Sequence, residues 1–258
     1  KLAAVLRGQS APSLLHSYSA ERQAIAQELI DFDRAFAKMF SARPKTAQDA
    51  GQDTVDPAEF QRYFQKQGRF TAGTSVQYGP SLLIGDAQHQ HLAKGLVVGM
   101  RFHSAPVIRV ADAKPVHLGH MLKADGRWRI LAFAGQDDDL QALCGYLGSK
   151  SSPIVRMTPD GTDIDSVIDL RAIYQTPHRD IDLRSLPPLL LPRKGKHHLT
   201  DYEKIFSADS SSDIFDLREI DRAKGCIVIV RPDQYIAEIL PLDAHGELSE
   251  FFERVLTA

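Results

Sequence analysis

The run Gly225-Cys226-Ile227-Val228-Ile229-Val230 constrains the fold more than any other stretch of this chain. Its β-branched residues are stiff at χ1 and suit a pleated strand better than a helix. Because no polar residue alternates through it, the strand is expected to be buried on both faces. Arg231-Pro232-Asp233-Gln234 follows, with proline at the second turn position, where its fixed φ belongs. Residues 235–240 then return as the hairpin partner. Residues 246–256 close the chain as a helix with Leu248, Phe251, Phe252 and Val255 on its inner face. A hairpin apolar on both faces needs strands beside it and a layer on either side.

The upstream text supplies them. Trp128-Arg129-Ile130-Leu131-Ala132-Phe133-Ala134 reads as a strand ending at Gly135, and Asp137-Asp138-Asp139 opens a helix carrying Leu140, Leu143 and Leu147. Residues 167–174 read as another strand, and residues 76–84 and 106–111 as short strands between turn residues. The order strand, helix, strand, connection, hairpin, helix predicts a thioredoxin-like α/β fold over residues 70–258, a mixed central sheet with helices on both faces.

Residues 1–69 read as helices. Residues 1–15 look like the tail of one helix. Ser17 or Ser19 can cap a second, with Glu21 in its first turn. Ile25, Leu29, Phe32, Phe36 and Met39 form an apolar stripe along it, and Arg43-Pro44 ends it. A polar loop is expected over residues 45–55. Asp56-Pro57 then starts a third helix with Phe60, Tyr63 and Phe64 inward, ending near Gly68. These helices are expected to pack on a domain outside the 258 residues. Leu2, Val5 and Leu6 are already at helical spacing with no cap before Lys1, so the chain is expected to begin inside a longer protein.

Composition narrows the function. Hydrophobic residues make up 43% and charged residues 25%, enough for a sizeable core. The formal net charge of −2 gives no electrostatic case for binding nucleic acid or an anionic membrane. No apolar run approaches the roughly 18–20 residues of a membrane span. Two cysteines far apart suit a reducing, cytoplasmic setting.

A self-contained active site is not expected. A thiol oxidoreductase needs Cys-x-x-Cys where the first strand meets its helix, and Gly135-Gln136-Asp137-Asp138-Asp139 stands there instead. Cys144 and Cys226 read as small buried hydrophobes. His89-x-His91 and His117-x-x-His120 have ligand spacing but no clustered third and fourth ligand. His197-His198 follows Arg193-Lys194-Gly195-Lys196 in a solvated basic loop. His16 with Ser17 and Ser19, and Asp56 with Glu59, are better explained as helix-start residues, and Trp128 as core. No nucleotide-binding glycine motif or nucleophile elbow is present. Catalytic, cofactor-binding and metal residues are therefore all assigned as none.

Three stretches together resemble one family. "KLAAVLRGQSAPSLLHSYSAERQ" resembles the segment after the last flavin-contacting motif of class A FAD-dependent aromatic hydroxylases, through Lys1-Leu2 and Ser17-Tyr18-Ser19-Ala20-Glu21-Arg22. "SVQYGPSLL", "GLVVGMRFHSAPVIRVADAKPVHLGHML" and "GRWRILAFAG" resemble the C-terminal domain of the phenol 2-monooxygenase type. "CIVIVRPDQYIAEI" is similar to the hairpin near the end of these enzymes. The resemblance implies FAD and NAD(P)H as cofactors of an intact monooxygenase acting on a phenolic aromatic such as 3-hydroxybenzoate or phenol. It implies a homodimer, with residues 1–69 belonging to the FAD domain and residues 70–258 dimerising. Residues 76–111 are the first expectation for the dimer face. The alternative is a stand-alone, redox-inactive thioredoxin-like interaction module, and a third reading is a thiol enzyme of unusual layout.

Overall fold

The computed structural model describes residues 1–41, 43–44, 54–55, 57–136 and 139–257. The leading segment holds helix α1 (Leu2–Leu6), a 3-10 turn at Pro12–Leu15, helix α2 (His16–Ser41), strands β1 (Arg43–Pro44) and β2 (Thr54–Val55), and helix α3 (Pro57–Thr71). The remainder runs β3 (Pro106–Arg109), β4 (Lys114–His117), β5 (Trp128–Phe133), α4 (Asp139–Leu147), α5 (Pro153–Met157), β6 (Ile168–Tyr174), β7 (Arg193–Lys194), β8 (Leu199–Thr200), β9 (Ile205–Ala208), α6 (Ile214–Leu217), β10 (Cys226–Val230), β11 (Ile236–Leu240) and α7 (His245–Val255).

Seven strands form one mixed sheet in the order β11-β10-β5-β6-β9-β3-β4. β5, β6 and β9 are parallel, β10 is antiparallel to β5, and β11 is antiparallel to β10. The unit β5-α4-β6-β10-β11-α7, with β6, β5, β10 and β11 side by side, is the thioredoxin-like arrangement. β3 and β4 extend the sheet beyond β9 through antiparallel pairing.

Every residue of β5 and β10 is buried. Trp128, Ile130, Ala132, Ile227 and Ile229 pack with Leu140, Leu143 and Leu147 of α4 and with Leu248, Phe251, Phe252 and Val255 of α7. Trp128 meets Phe251 and Phe252 edge-on at 5.5 and 5.9 Å, a favoured aromatic geometry. Leu131, Phe133, Ile173, Phe206, Val228 and Val230 point to the other face. Helices stand on both faces, but unequally. On this second face stands the four-residue α6, whose Phe215 meets Phe133 edge-on, with Ile25 of α2 and Phe70 of α3 packed against the same cluster. Much of the remaining cover comes from residues 76–122, through Tyr78, Ile84, Leu92, Leu96, Val98, Phe102 and Leu118.

Several local expectations shift. α1 stops at Leu6, because Gly8 at φ +71° turns the chain and Pro12 opens a 3-10 turn. α2 starts at His16, so Ser17 and Ser19 lie inside it, and Ser17 Oγ donates to the Leu14 carbonyl. α3 passes Gly68 and ends at Thr71. Residues 76–84 make isolated bridges, Gln77 with Met100 and Ser81 with Ile84, rather than a strand. Their apolar residues cap the sheet instead of joining it. Of the expected loop over residues 45–55, Thr54 and Val55 form β2 beside β1, and residues 45–53, the Asp56 cap, the Phe60 side chain and Asp137-Asp138 lie outside the described residues.

The stripe of α2 is only half covered. Phe32 stacks on Tyr63 of α3 at 5.0 Å, and the Tyr63 hydroxyl donates to the Phe32 carbonyl. Ile25, Phe36 and Met39 are half-buried, while Leu29, Ile30 and Phe40 are exposed.

A buried charge network sits where β5 and β6 begin. Lys204 Nζ contacts Asp165 and Asp169 at 2.5 Å each, and Asp169 also meets Arg129 at 3.0 Å and Arg171 at 2.9 Å. Lys194 reaches Asp165 at 2.8 Å. Burial alone would raise both carboxyls, but Lys204 and the neighbouring cations pull them down, Asp165 to about 2. Between pH 4 and 2 the unfolded chain, with ordinary carboxyls, binds more protons than the folded one. The stability these groups contribute is thus present above about pH 4 and lost as pH falls toward 2. We expect Asp165→Asn to destabilise the protein at pH 7 and to flatten its stability profile between pH 4 and 2. Urea unfolding across that range checks this, and an unchanged slope would refute it.

Candidate functional site

Two places could carry function, and the first is closed. At the β5–α4 corner, where a thioredoxin-like enzyme would hold its thiols, Gln136 N–H donates to the Ala223 carbonyl at 2.9 Å. A Cβ on Gly135 would fall 2.6 Å from that carbonyl oxygen, so only glycine lets the two backbones approach. Gln175 Nε2 seals the corner by donating to the Ala134 and Arg222 carbonyls. Cys144 lies inside α4 and Cys226 at the start of β10, both buried and free. Burial pushes the Cys144 thiol up to about 12, and burial with Asp221 pushes Cys226 up as well. Neither is a thiolate near neutral pH.

The second place is the junction between the leading helices and the sheet. Arg231 ends the apolar run of β10 and enters the hairpin turn, which Gln234 N–H closes by donating to the Arg231 carbonyl at 2.9 Å. Its guanidinium forms a two-pronged pair with Glu21 of α2, Nη1 to Oε1 at 2.6 Å and Nη2 to Oε2 at 3.1 Å. Asp233 accepts from the same group at 3.0 and 2.6 Å. Lys1 Nζ donates to the second Glu21 oxygen at 2.6 Å. The side chains of Arg231 and Glu21 are 3% and 6% exposed, so this pair is withdrawn from water.

Tyrosines complete the enclosure. The guanidinium lies 5.5 Å from the Tyr78 ring and 5.7 Å from the Tyr235 ring, within cation–π range. Burial alone would lower the Arg231 pKa, but Glu21 and Asp233 overcome it and raise it. Two further ties fasten the leading segment. Leu14 is buried in the core with Trp128. Thr257 donates to the Gln9 and Gly8 carbonyls at 3.0 and 2.6 Å. A cleft lined by Lys1, Ser10, Leu14, Trp128, Arg231 and Asp233 runs beside the pair.

The sequence-level candidates are not brought together. His89 and His91 have ring centres 6.2 Å apart, and His89 pairs with Glu247 at 3.2 Å. His117 and His120 are 5.5 Å apart. Among the described residues no group of three or more His, Cys, Asp or Glu is placed to hold a metal. His197 and His198 are exposed between β7 and β8. The sequence alone explains Glu21 as first-turn helix chemistry and Arg231 as the start of a turn. Their pairing spans 210 residues and has no local signature beyond a cation ending a wholly apolar strand.

Residues 76–258 match the family model described as phenol hydroxylase, C-terminal dimerisation domain, and residues 1–33 match an FAD binding domain. The chain belongs to the phenol hydroxylase dimerisation-domain family. It is 58% identical to 3-hydroxybenzoate 4-monooxygenase of Comamonas testosteroni, over 100% of this chain and 42% of that protein. It is 31% identical to phenol 2-monooxygenase fsqG of Aspergillus fumigatus, over 98% of this chain and 42% of that protein. The chain thus spans less than half the length of these curated relatives. The crystal structure of aklavinone-11 hydroxylase in a ternary complex with FAD and aklavinone is similar in fold. The TM-score is 0.52 at 18% identity, covering 99% of this chain and 37% of that one. No helix among the described residues is long and apolar enough to cross a membrane.

Arg231→Met would leave Glu21 buried beside a single remaining cation, Lys1, and is expected to cost about 3–5 kcal/mol. Replacing Glu21 and Arg231 together by Met should recover much of that loss. Urea unfolding of the single and double variants tests the pair, and a single variant within 1 kcal/mol of the parent would contradict it. The thiols give a second expectation. The two cysteines should resist a disulfide reagent in the native protein and both react in urea. Rapid native labelling would show that the corner is open.

Proposed function

We propose that this chain is the C-terminal part of an FAD-dependent monooxygenase that hydroxylates a phenolic aromatic, such as 3-hydroxybenzoate or phenol, using NAD(P)H and O₂. Within it, residues 1–69 are the last helices of the FAD and substrate domain. Residues 70–258 are a thioredoxin-like dimerisation domain without redox chemistry, and the intact enzyme is a cytoplasmic homodimer. FAD supplies the oxygen-activating chemistry in such an enzyme, and this chain's residues act by position. Glu21 and Arg231 fix the start of α2 against the β10–β11 hairpin, and Leu14 and Thr257 hold α1 to the same body. The flavin side is thereby braced on a rigid sheet, and a braced site keeps reacting groups in register and water out.

The observation that carries this reading is the anchoring of residues 1–21 on the dimerisation domain, through Leu14 in the core and Glu21 on Arg231. The segment that matches an FAD-binding model thus contributes Leu14 to the core beneath the sheet and Glu21 to the junction. The stand-alone module accounts less well for α2, whose exposed Leu29 and Ile30 suit a covering partner.

The test uses the intact protein. It should carry the absorbance of bound flavin, oxidise NAD(P)H in response to a phenol, release a product with one added hydroxyl, and sediment as a dimer. The 258-residue chain alone should take up no stoichiometric FAD. An intact protein purified without flavin, and unable to rebind it, would overturn the reading.

A further inference from the structure

We propose that a second copy of this chain docks on the proline-rich insertion between β6 and β9, with Tyr202 and the β7–β8 hairpin at the centre of the contact. The inference rests on the dimerisation reading above and names the surface it uses. Any dimer core within residues 76–258 needs exposed apolar side chains. Among the described residues of that region, the large hydrophobics more than a third exposed are Leu199 at 69%, Tyr202 at 45% and Leu217 at 46%. Leu217 ends α6, flanked in sequence by Asp216 and Arg218. Leu199 and Tyr202 sit three residues apart on one insertion. Residues 76–111 leave no large hydrophobic exposed, because Val76, Tyr78, Ile84, Leu92, Leu96 and Phe102 turn onto the sheet.

The insertion is additional to the thioredoxin-like unit. Three 3-10 turns, at His178–Asp180, Leu183–Ser185 and Pro188–Leu190, lead into the hairpin. Together they shape an open groove lined by Leu183, Leu186, Pro188, Leu191, Thr200 and Tyr202, with Arg184 and Arg193 at its margin. Leu190 is fully buried and pins this segment to the core. Pro177, Pro187, Pro188 and Pro192 restrict the backbone, so little ordering remains to be done on binding.

The match to a dimerisation domain favours a copy of the same chain. The charges on the groove are Arg184 and Arg193, and Arg184 is paired with Asp182 at 3.3 Å. Beside Tyr202, Asp201 pairs with Lys194 and Glu203 with Arg109, each at 3.3 Å within the chain. With these acids already paired inside one copy, the contact across a twofold axis rests on its apolar centre.

Sedimentation equilibrium of the intact protein tests the surface. Tyr202→Asp and Leu199→Asp are each expected to weaken the dimer by about 10–100-fold, and Leu217→Asp to leave it unchanged. Folded Tyr202 and Leu199 variants that dimerise as tightly as the parent would overturn this surface and leave the dimerisation reading standing. A monomeric intact parent would overturn both. Should either Asp variant lose its circular dichroism, a short bis-maleimide decides the matter, since Cys144 and Cys226 are buried. Cross-linking of Leu199→Cys and not of Leu217→Cys supports the proposal, and the reverse pattern ends it.

Discussion

The seven-stranded sheet is arranged around β5 and β6, two parallel strands that must be dry on both faces. Parallel strands cannot be joined by a tight turn, so chain must leave the sheet and cross back, and those crossings become the layers that cover it. On one face the cover is regular: α4 and α5 from the β5–β6 crossover, with α7 after the hairpin. On the other it is largely the irregular run of residues 76–122. An irregular cover must still pair its backbone groups. It does so on the sheet edge, where Gly85 and Gly99 N–H donate to the Ala237 and Ile236 carbonyls and Ile236 N–H donates to Met100. The exposed rim of β11 is thereby closed to other chains.

That arrangement explains why a buried ion pair can serve at the junction. Two charges withdrawn from water gain little overall, but each is costly to leave alone. Arg231 emerges from a strand whose five residues are all buried, so it cannot swing to solvent without opening the hairpin. Glu21 is held by α2 and by Lys1. The pair therefore specifies position more than it adds stability. Asp233 and the two tyrosine rings satisfy the faces and edges of the guanidinium that Glu21 does not reach.

What could be read from the sequence follows the range of the forces involved. The strands at 128–133, 168–174, 226–230 and 236–240 and the helices α4 and α7 were legible, because apolar runs and helical spacing are local records of burial. The Arg-Pro-Asp-Gln turn was legible from proline chemistry. Residues 76–84 were misread as a strand because their apolar residues pack on a face without joining the ladder, and composition does not separate the two. Leu29 was placed on a buried stripe, yet is exposed within this chain. The Glu21–Arg231 pair was invisible, since both residues had sufficient local explanations. The absence of Cys-x-x-Cys was legible, but the closure of that corner by Ala223 and Gly135 was not.

The junction and the groove both border strands that pair with β5. Arg231 extends β10, the insertion follows β6, and both strands flank β5 through continuous ladders. α2 is 26 residues long, about 39 Å at helical rise. Its tight anchor lies at its first turns, and beyond Ile25 the described contacts are with α3. A helix clamped at one end transmits orientation: a small rotation at Glu21 becomes a displacement of several ångströms at Ser41. Close-packed interiors resist such rotation because neighbours cannot yield continuously. The two-pronged contact matters here more than its energy, since two parallel hydrogen bonds fix a plane where one fixes only a distance. A lysine at position 231 would keep the charge and lose that plane.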